Sequence, residues 1–160
     1  MRQWTLSLAF LAVVAAPVLA GEYNKVVSVG DKAPAIAVLP AVSGEKDTTL
    51  NLAEVKEDVV VVFLACHCPF TWGVEDRLVD LVNSYKGKSV RVVGVNCIGD
   101  QKPGEEGIPA IKKRIKDGKY NIEYAYDPSG KTARAFGATV TPEFFVLDKA
   151  RKIRYTGLLD

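Results

Sequence analysis

Cys66, His67 and Cys68 stand together in the segment Phe63-Leu64-Ala65-Cys66-His67-Cys68-Pro69-Phe70, and a third cysteine, Cys97, lies downstream. A thiolate attacks where a thiol does not, so a working cysteine needs its pKa lowered. Cys68 immediately precedes Pro69, and proline favours the first turn of a helix. This predicts Cys68 at a helix N-terminus, where unpaired N–H groups and the helix dipole favour negative charge. His67, the one histidine of the chain, is adjacent and able to add positive charge or move a proton. Cys66 is near enough along the chain to pair with Cys68, although a Cys-x-Cys ring is small and strained. Strain makes a disulfide easier to reduce, which suits a labile bond rather than a structural one. Cys97 is the alternative partner for Cys68, and a thiol outside the chain is a third. Two rival readings stand beside exchange chemistry: thiols packed inertly as small apolar groups, and Cys66, His67 and Cys68 as soft ligands of a Cu(I) or Zn(II) carrier, with Cys97 joining.

The surrounding elements must place these side chains. Val59 to Leu64 is a continuous apolar, mostly β-branched run, the mark of a strand buried on both faces. Val90 to Val95 is a second such strand, with Gly94 inside it, and Phe144 to Leu147 a third. Ala35 to Leu39 reads as a short strand before a turn at Ser43-Gly44-Glu45, and Tyr124 to Tyr126 as another short strand. Val74, Leu78, Leu81, Val82 and Tyr85 recur at helical spacing, and Gly87 stops that helix. Helices are also expected over Ile108 to Asp117 and Lys131 to Phe136, the latter ended by Gly137. Asp148 to Lys152 turns the chain into Ile153 to Thr156, so the last two strands form a hairpin. Strands alternating with helices and closed by a hairpin give an α/β fold with a mixed sheet. Ligands of such sheets meet the carboxyl ends of the parallel strands, and all three cysteines lie just past such ends.

Outside this region the residues are less informative. The 160 residues are 48% hydrophobic and 25% charged, ordinary for one soluble domain. Arg2, the apolar run Leu6 to Ala16, Pro17 and Val18-Leu19-Ala20 follow the order of a signal peptide, so residues 1–20 read as a leader and 21–160 as the mature domain. That run is too short to span a bilayer core, so no stable membrane insertion is expected after cleavage, and the destination is periplasmic or secreted. Apart from Arg2, the basic residues nearly balance the acidic ones, 21 Lys and Arg in all against 19 Asp and Glu, and no basic block suggests nucleic acid. Three cysteines cannot all pair internally, so at least one thiol is free, metal-bound or exchanging. Ala125-x-x-x-x-Gly130-Lys131-Thr132 meets a permissive phosphate-loop pattern, but Asp127-Pro128-Ser129-Gly130 reads better as a turn feeding a helix. Phe70, Trp72 and Tyr85 read as core more than as groove, Glu75 to Arg77 as a solvated helix face, and the Lys and Glu residues of 102–119 as exposed surface.

Three segments together resemble a known family. Gly30-Asp31-Lys32-Ala33-Pro34, then Phe63-x-Ala65 with Cys68-Pro69 and Glu75-Asp76-Arg77-Leu78, and finally Ala135-Phe136-Gly137-Ala138-Thr139-Val140-Thr141-Pro142-Glu143-Phe144-Phe145-Val146-Leu147-Asp148 are similar to the thioredoxin-like redoxins of the alkyl hydroperoxide reductase/thiol-specific antioxidant group. The resemblance implies a thioredoxin-like fold, a central mixed sheet flanked by helices. It implies Cys68 as nucleophile and a cis Thr141–Pro142 bond beside it that aligns a substrate chain. It also implies disulfide or thiol substrates, an external reductant and no cofactor. With Cys66 as the resolving thiol and His67 tuning the thiolate, the expected activity is thiol–disulfide exchange. Thiol-dependent peroxidase is the alternative within the same fold. The departures favour exchange. Thr71 replaces the second cysteine of Cys-x-x-Cys. Ala65 stands where related redoxins have a cysteine three before Cys68, with Cys66 taking a nearby place. Ala65 and Val61 also replace the hydroxyl residue and proline of peroxide-activating relatives. The sequence stops at Asp160, where the fold usually adds a helix, so either a truncated product or a partner over that face is expected.

Overall fold

Val59 to Leu64 forms the middle of the molecule because every one of these side chains has somewhere apolar to go. The computed structural model describes residues 23–99, 104–118 and 120–159; the expected leader, residues 1–20, lies outside them. In chain order the elements are β1 (Leu39–Ser43), β2 (Lys46–Leu50), β3 (Asp58–Leu64), α1 (Pro69–Gly73), α2 (Glu75–Tyr85), β4 (Val90–Asn96), α3 (Ile108–Gly118), β5 (Glu123–Tyr126), α4 (Lys131–Phe136), β6 (Glu143–Leu147) and β7 (Ile153–Gly157). They make one seven-stranded sheet in the order β2-β1-β5-β4-β3-β6-β7. β3 runs parallel to β4, and β4 parallel to β5, while β6 lies antiparallel to β3 and begins the closing hairpin with β7. The fold is thus the α/β, thioredoxin-like mixed sheet flanked by helices.

The period-two alternation of β3 divides the core. Val59, Val61 and Phe63 pack on one face with Phe136 and Ala133 of α4, while Val60, Val62 and Leu64 pack on the other with Leu78 of α2 and Ile111 and Ile115 of α3. On the α4 face Phe63, Phe136 and Phe145 meet edge to face, with centroids 5.2 to 5.6 Å apart. On the other face Gly94 is required by contact: a Cβ there would lie 3.0 Å from the Leu64 and Tyr124 side chains. The lead-in is pinned to α4 by Asn24, whose Nδ2 donates to Phe136 O at 2.8 Å while its Oδ1 accepts the Val26 and Val27 N–H groups.

Two expectations shift. The first strand lies at Leu39–Ser43 rather than 35–39, and it pairs with β2, which the sequence did not suggest. Four of the five β2 residues are exposed, so its Lys-Asp-Thr-Thr-Leu carries no alternating apolar signal. Backbone pairing across the Gly44-Glu45 turn, with Gly44 at φ 60°, holds it instead. The helix expected from Cys68-Pro69 onward forms as two, interrupted at Val74, which is the C-cap of α1 and the N-cap of α2. The Asp127 turn behaves as read: its carboxylate accepts the Ser129 and Thr132 N–H groups at 3.0 and 2.7 Å and feeds α4. Among the described residues no helix follows β7, and an apolar groove of about 410 Å³ lies open there, lined in part by Val60, Leu81, Phe144, Val146 and Tyr155. No helix among the described residues is long and apolar enough to cross a membrane.

Removing one member of the aromatic trio tests this division of the core. Phe136→Ala should cost about 3–5 kcal/mol of unfolding free energy, read from the midpoint of a urea titration.

Candidate functional site

Parallel pairing sets the site's position. Leu64 of β3 is opposite Asn96 of β4, so residues 65–68 and 97–99 leave the sheet at the same edge. β6 runs the other way, and its first residue, Glu143, lies opposite Phe63. The residues before it, Thr141-Pro142, therefore arrive at this edge too. Their peptide bond is cis, as the resemblance implies. Glu143 is buried and accepts the Thr139 and Val140 N–H groups at 2.8 and 3.3 Å, fixing the loop that presents the Thr141 carbonyl.

Cys68 is the N-cap of α1, with Pro69 at the first helical position, and the Trp72 N–H closes the turn on Cys68 O at 3.2 Å. Its thiol donates to Thr141 O at 3.3 Å. Burial pushes the thiol up, and the carbonyl bond also favours the protonated form. Hydrogen bonds to the sulfur from the Thr141 side chain, the Thr71 and Phe70 N–H groups and the Thr71 side chain outweigh both, and the net shift is downward. With α1 only five residues long, these local donors, rather than an extended dipole, stabilise the thiolate. The Thr71 hydroxyl is buried and makes no hydrogen bond to the described residues as placed, so its contribution to Cys68 requires it to turn toward the sulfur. Turned to the thiolate, it satisfies itself and the sulfur together.

The other two thiols are held differently. Cys66 is buried, accepts from Asn96 Nδ2 at 3.3 Å and lies 3.9 Å from the Tyr124 hydroxyl. Burial, with the Glu106 charge adding to it, pushes its pKa up to about 12. Cys97 packs against the α4-side core, and burial followed by the Asp127 charge pushes it up to about 12 as well. The edge therefore collects all three cysteines, but Cys66 faces the α2–α3 side, Cys97 the α4 side and Cys68 the cis-proline loop. All three are free. Among the described residues no group of three or more Cys, His, Asp or Glu side chains is arranged to hold a metal ion. Ala65 and Val61 are fully buried and bring no hydroxyl to the sulfur.

Some readings need correction. Phe70 and Trp72, read as core, are exposed, 77% and 49%, beside Cys68, and Trp72 Nε1 donates to Cys66 O at 2.9 Å. Glu75, read as solvated, is paired with Arg114 at 2.9 Å, and that guanidinium lies over the Trp72 ring. Glu106, read as exposed surface, is buried at the centre of the site. It accepts the Cys66 N–H at 3.0 Å, the His67 N–H at 3.2 Å, and hydrogen bonds from His67 Nδ1 and Asn96 Nδ2. Burial alone would raise its pKa, yet Asn96, His67 and the two backbone donors bring it below the ordinary carboxylate value. No sequence motif marks Glu106. Its only trace is its place in the loop after β4, where a chain of this topology passes the cysteine edge.

The AhpC/TSA family model matches residues 29–156. The chain belongs to the AhpC/TSA family. A comparison with curated proteins gave no match. Among solved structures, an uncharacterized conserved protein from Geobacillus kaustophilus is 29% identical, with 86% of this chain and 72% of that one covered and a TM-score of 0.75. A hypothetical protein from Sinorhizobium meliloti 1021 is also 29% identical, over 86% and 74% of the two chains, again at 0.75. A provisionally assigned thiol:disulfide interchange protein DsbE from Chlorobium tepidum is 26% identical, over 82% and 85%, at 0.66. This AhpC/TSA family member thus has thioredoxin-like neighbours that include thiol–disulfide oxidoreductases.

The difference among the thiols is measurable. Alkylation followed by mass spectrometry across a pH series should show Cys68 labelling with a midpoint below the ordinary thiol value of about 8.5. Because its pKa is lowered, Cys68 reactivity should rise at lower pH than that of Cys66 or Cys97, which label only in strong alkali. Thr71→Val should move the Cys68 midpoint upward by about one unit, making labelling near neutrality roughly tenfold slower. A Thr71→Val profile overlying the wild type would remove Thr71 from the thiolate's donors.

Proposed function

We propose that the chain is an extracytoplasmic thiol–disulfide oxidoreductase in which Cys68 is the attacking thiolate. The carrying observation is that Cys68 alone among the three thiols has a lowered pKa, and it sits against the Thr141 carbonyl of a cis-proline loop. The Cys68 thiolate attacks one sulfur of a protein or small-molecule disulfide. The substrate S–S bond breaks, its other sulfur leaves as a thiolate and takes up a proton, and a Cys68 mixed disulfide remains. A second thiolate then attacks the Cys68 sulfur and frees the substrate thiol.

Cys66 is the proposed source of that second thiolate, with Cys97 as the alternative; the resulting internal disulfide is reduced by an external thiol. In the resting site both thiols are raised to about 12. Internal resolution is therefore slow, and a thiol reductant in solution competes with it. His67, next to Cys68 in sequence, is proposed to tune the thiolate and return the leaving-group proton. The backbone at Thr141-Pro142 aligns the substrate. Family membership and the interchange protein from Chlorobium tepidum support the same chemistry. Export rests on the order of charge, apolar run and small residues in 1–20.

Reduction of a protein disulfide should be lost in Cys68→Ser, retained in Cys97→Ser, and accelerated in the wild type by added small thiol. A Cys68→Ser protein with undiminished activity would overturn the assignment. In the native cell, the recovered protein should begin at Gly21 and sit outside the cytoplasm; a chain still beginning at Met1 in the cytosol would refute export.

A further inference from the structure

Glu106 is a full carboxylate placed where burial disfavours one. Its side chain is 1% exposed, and its oxygens collect hydrogen bonds from the Cys66 N–H, the His67 N–H, His67 Nδ1 and Asn96 Nδ2. A buried charge with this many donors is stable only while the donors stay in place, and the donors are fixed in turn. Two of them are the consecutive peptide groups that lead into Cys68. The Nδ1 bond also orients the imidazole: with a carboxylate at Nδ1, that nitrogen carries the proton. The same Asn96 amide that reaches Glu106 also donates to the Cys66 sulfur. Glu106 therefore holds Cys66 by its backbone directly and by its thiol through Asn96.

We propose that Glu106 is a positioning residue that clasps the Cys66–His67 peptide, keeping the Cys66 thiol turned inward and out of exchange until the clasp opens. The proposal rests on the exchange reading and adds a control to it. Cys68 works as a single thiol in the resting site, and Cys66 enters only when Glu106 lets go. The titratable groups that face Cys66 are Glu106 from the loop before α3 and Tyr124 from β5, with the Asn96 amide from β4 and Leu78 of α2 otherwise enclosing it. Glu106 is the one carboxylate among them. Removing its charge while keeping its shape should expose Cys66 to solvent base, and shortening it while keeping its charge should not.

The test compares wild type, Glu106→Gln and Glu106→Asp, with alkylation of each cysteine followed by mass spectrometry at pH 8. Glu106→Gln should raise Cys66 labelling roughly tenfold or more, the effect of one pKa unit, and should raise the yield of a Cys66–Cys68 disulfide under mild oxidation. Glu106→Asp should stay near the wild type in both. Equal Cys66 labelling in folded wild type and Glu106→Gln would overturn the proposal. Should Glu106→Gln not fold, the wild type itself decides. His67 is the only histidine, so its ring nitrogens are read without ambiguity by nitrogen NMR. A proton on Nδ1 throughout the folded pH range supports the clasp, and an unprotonated Nδ1 refutes it. Failure of the exchange reading looks different: Cys68→Ser would leave disulfide reduction intact whatever Glu106 does to Cys66.

Discussion

β3 is sandwiched between a parallel neighbour and an antiparallel one, and this pairing decides where chemistry can occur. Parallel pairing with β4 requires both carboxyl ends to leave the sheet at one edge, which delivers Cys66, Cys68 and Cys97 together. Antiparallel pairing with β6 brings that strand's start to the same edge, which delivers Thr141-Pro142. The hydrophobic burial of Val59 to Leu64 is what enforces both pairings, because neither face of that strand tolerates water. A change of register in β3 would move the cysteines and exchange the two faces of the core at once. The cysteine edge is thus a consequence of sheet order, fixed by core residues.

Within that edge, three thiols only a few residues or one strand apart are separated by local charge and hydrogen bonding. Burial raises both Cys66 and Cys97, with Glu106 and Asp127 adding to it, whereas at Cys68 the N–H groups and hydroxyls outweigh burial. Each helix or loop neighbour adds to the same separation. α1 supplies the Phe70 and Thr71 donors, the loop before α3 supplies Glu106, and the turn before α4 supplies Asp127. The fold thereby gives three chemically identical groups different acidities, with Cys68 alone lowered.

Much of this was legible in the residues, for reasons that differ by element. β3, β4 and β6 are apolar runs bounded by turns, so their burial announces them, and Gly137 and Gly87 mark helix ends by the backbone they require. β2 was invisible because an edge strand with four exposed residues follows no apolar period. The cysteines and the Thr141–Pro142 bond carry local signatures. Glu106 carries none: a buried carboxylate reads like any surface glutamate until its partners 10 and 40 residues away are brought beside it. Phe70 and Trp72 misled for the opposite reason, since an aromatic beside a helix start looks like core until the neighbouring side chains are placed.

The position of the second thiol follows from the same period of two that built the core. Related proteins place a cysteine at the site of Ala65 or of Thr71. At 65 the alternation of β3 continues the face of Phe63, and at 66 it continues the face of Val60, Val62 and Leu64. Cys66 obeys that alternation and enters the α2–α3 core with Leu78 and Tyr124. A displacement of one residue therefore changes more than ring size: it moves the thiol through the sheet, out of reach of the helix donors that serve Cys68 and into the field of Glu106. In the proposed mechanism Thr71 completes the exchange of roles, since a hydroxyl can stabilise the thiolate but cannot displace a substrate from it. The chain thus sets one cysteine at a helix start, a threonine three residues on, and its nearest second thiol beside a buried carboxylate.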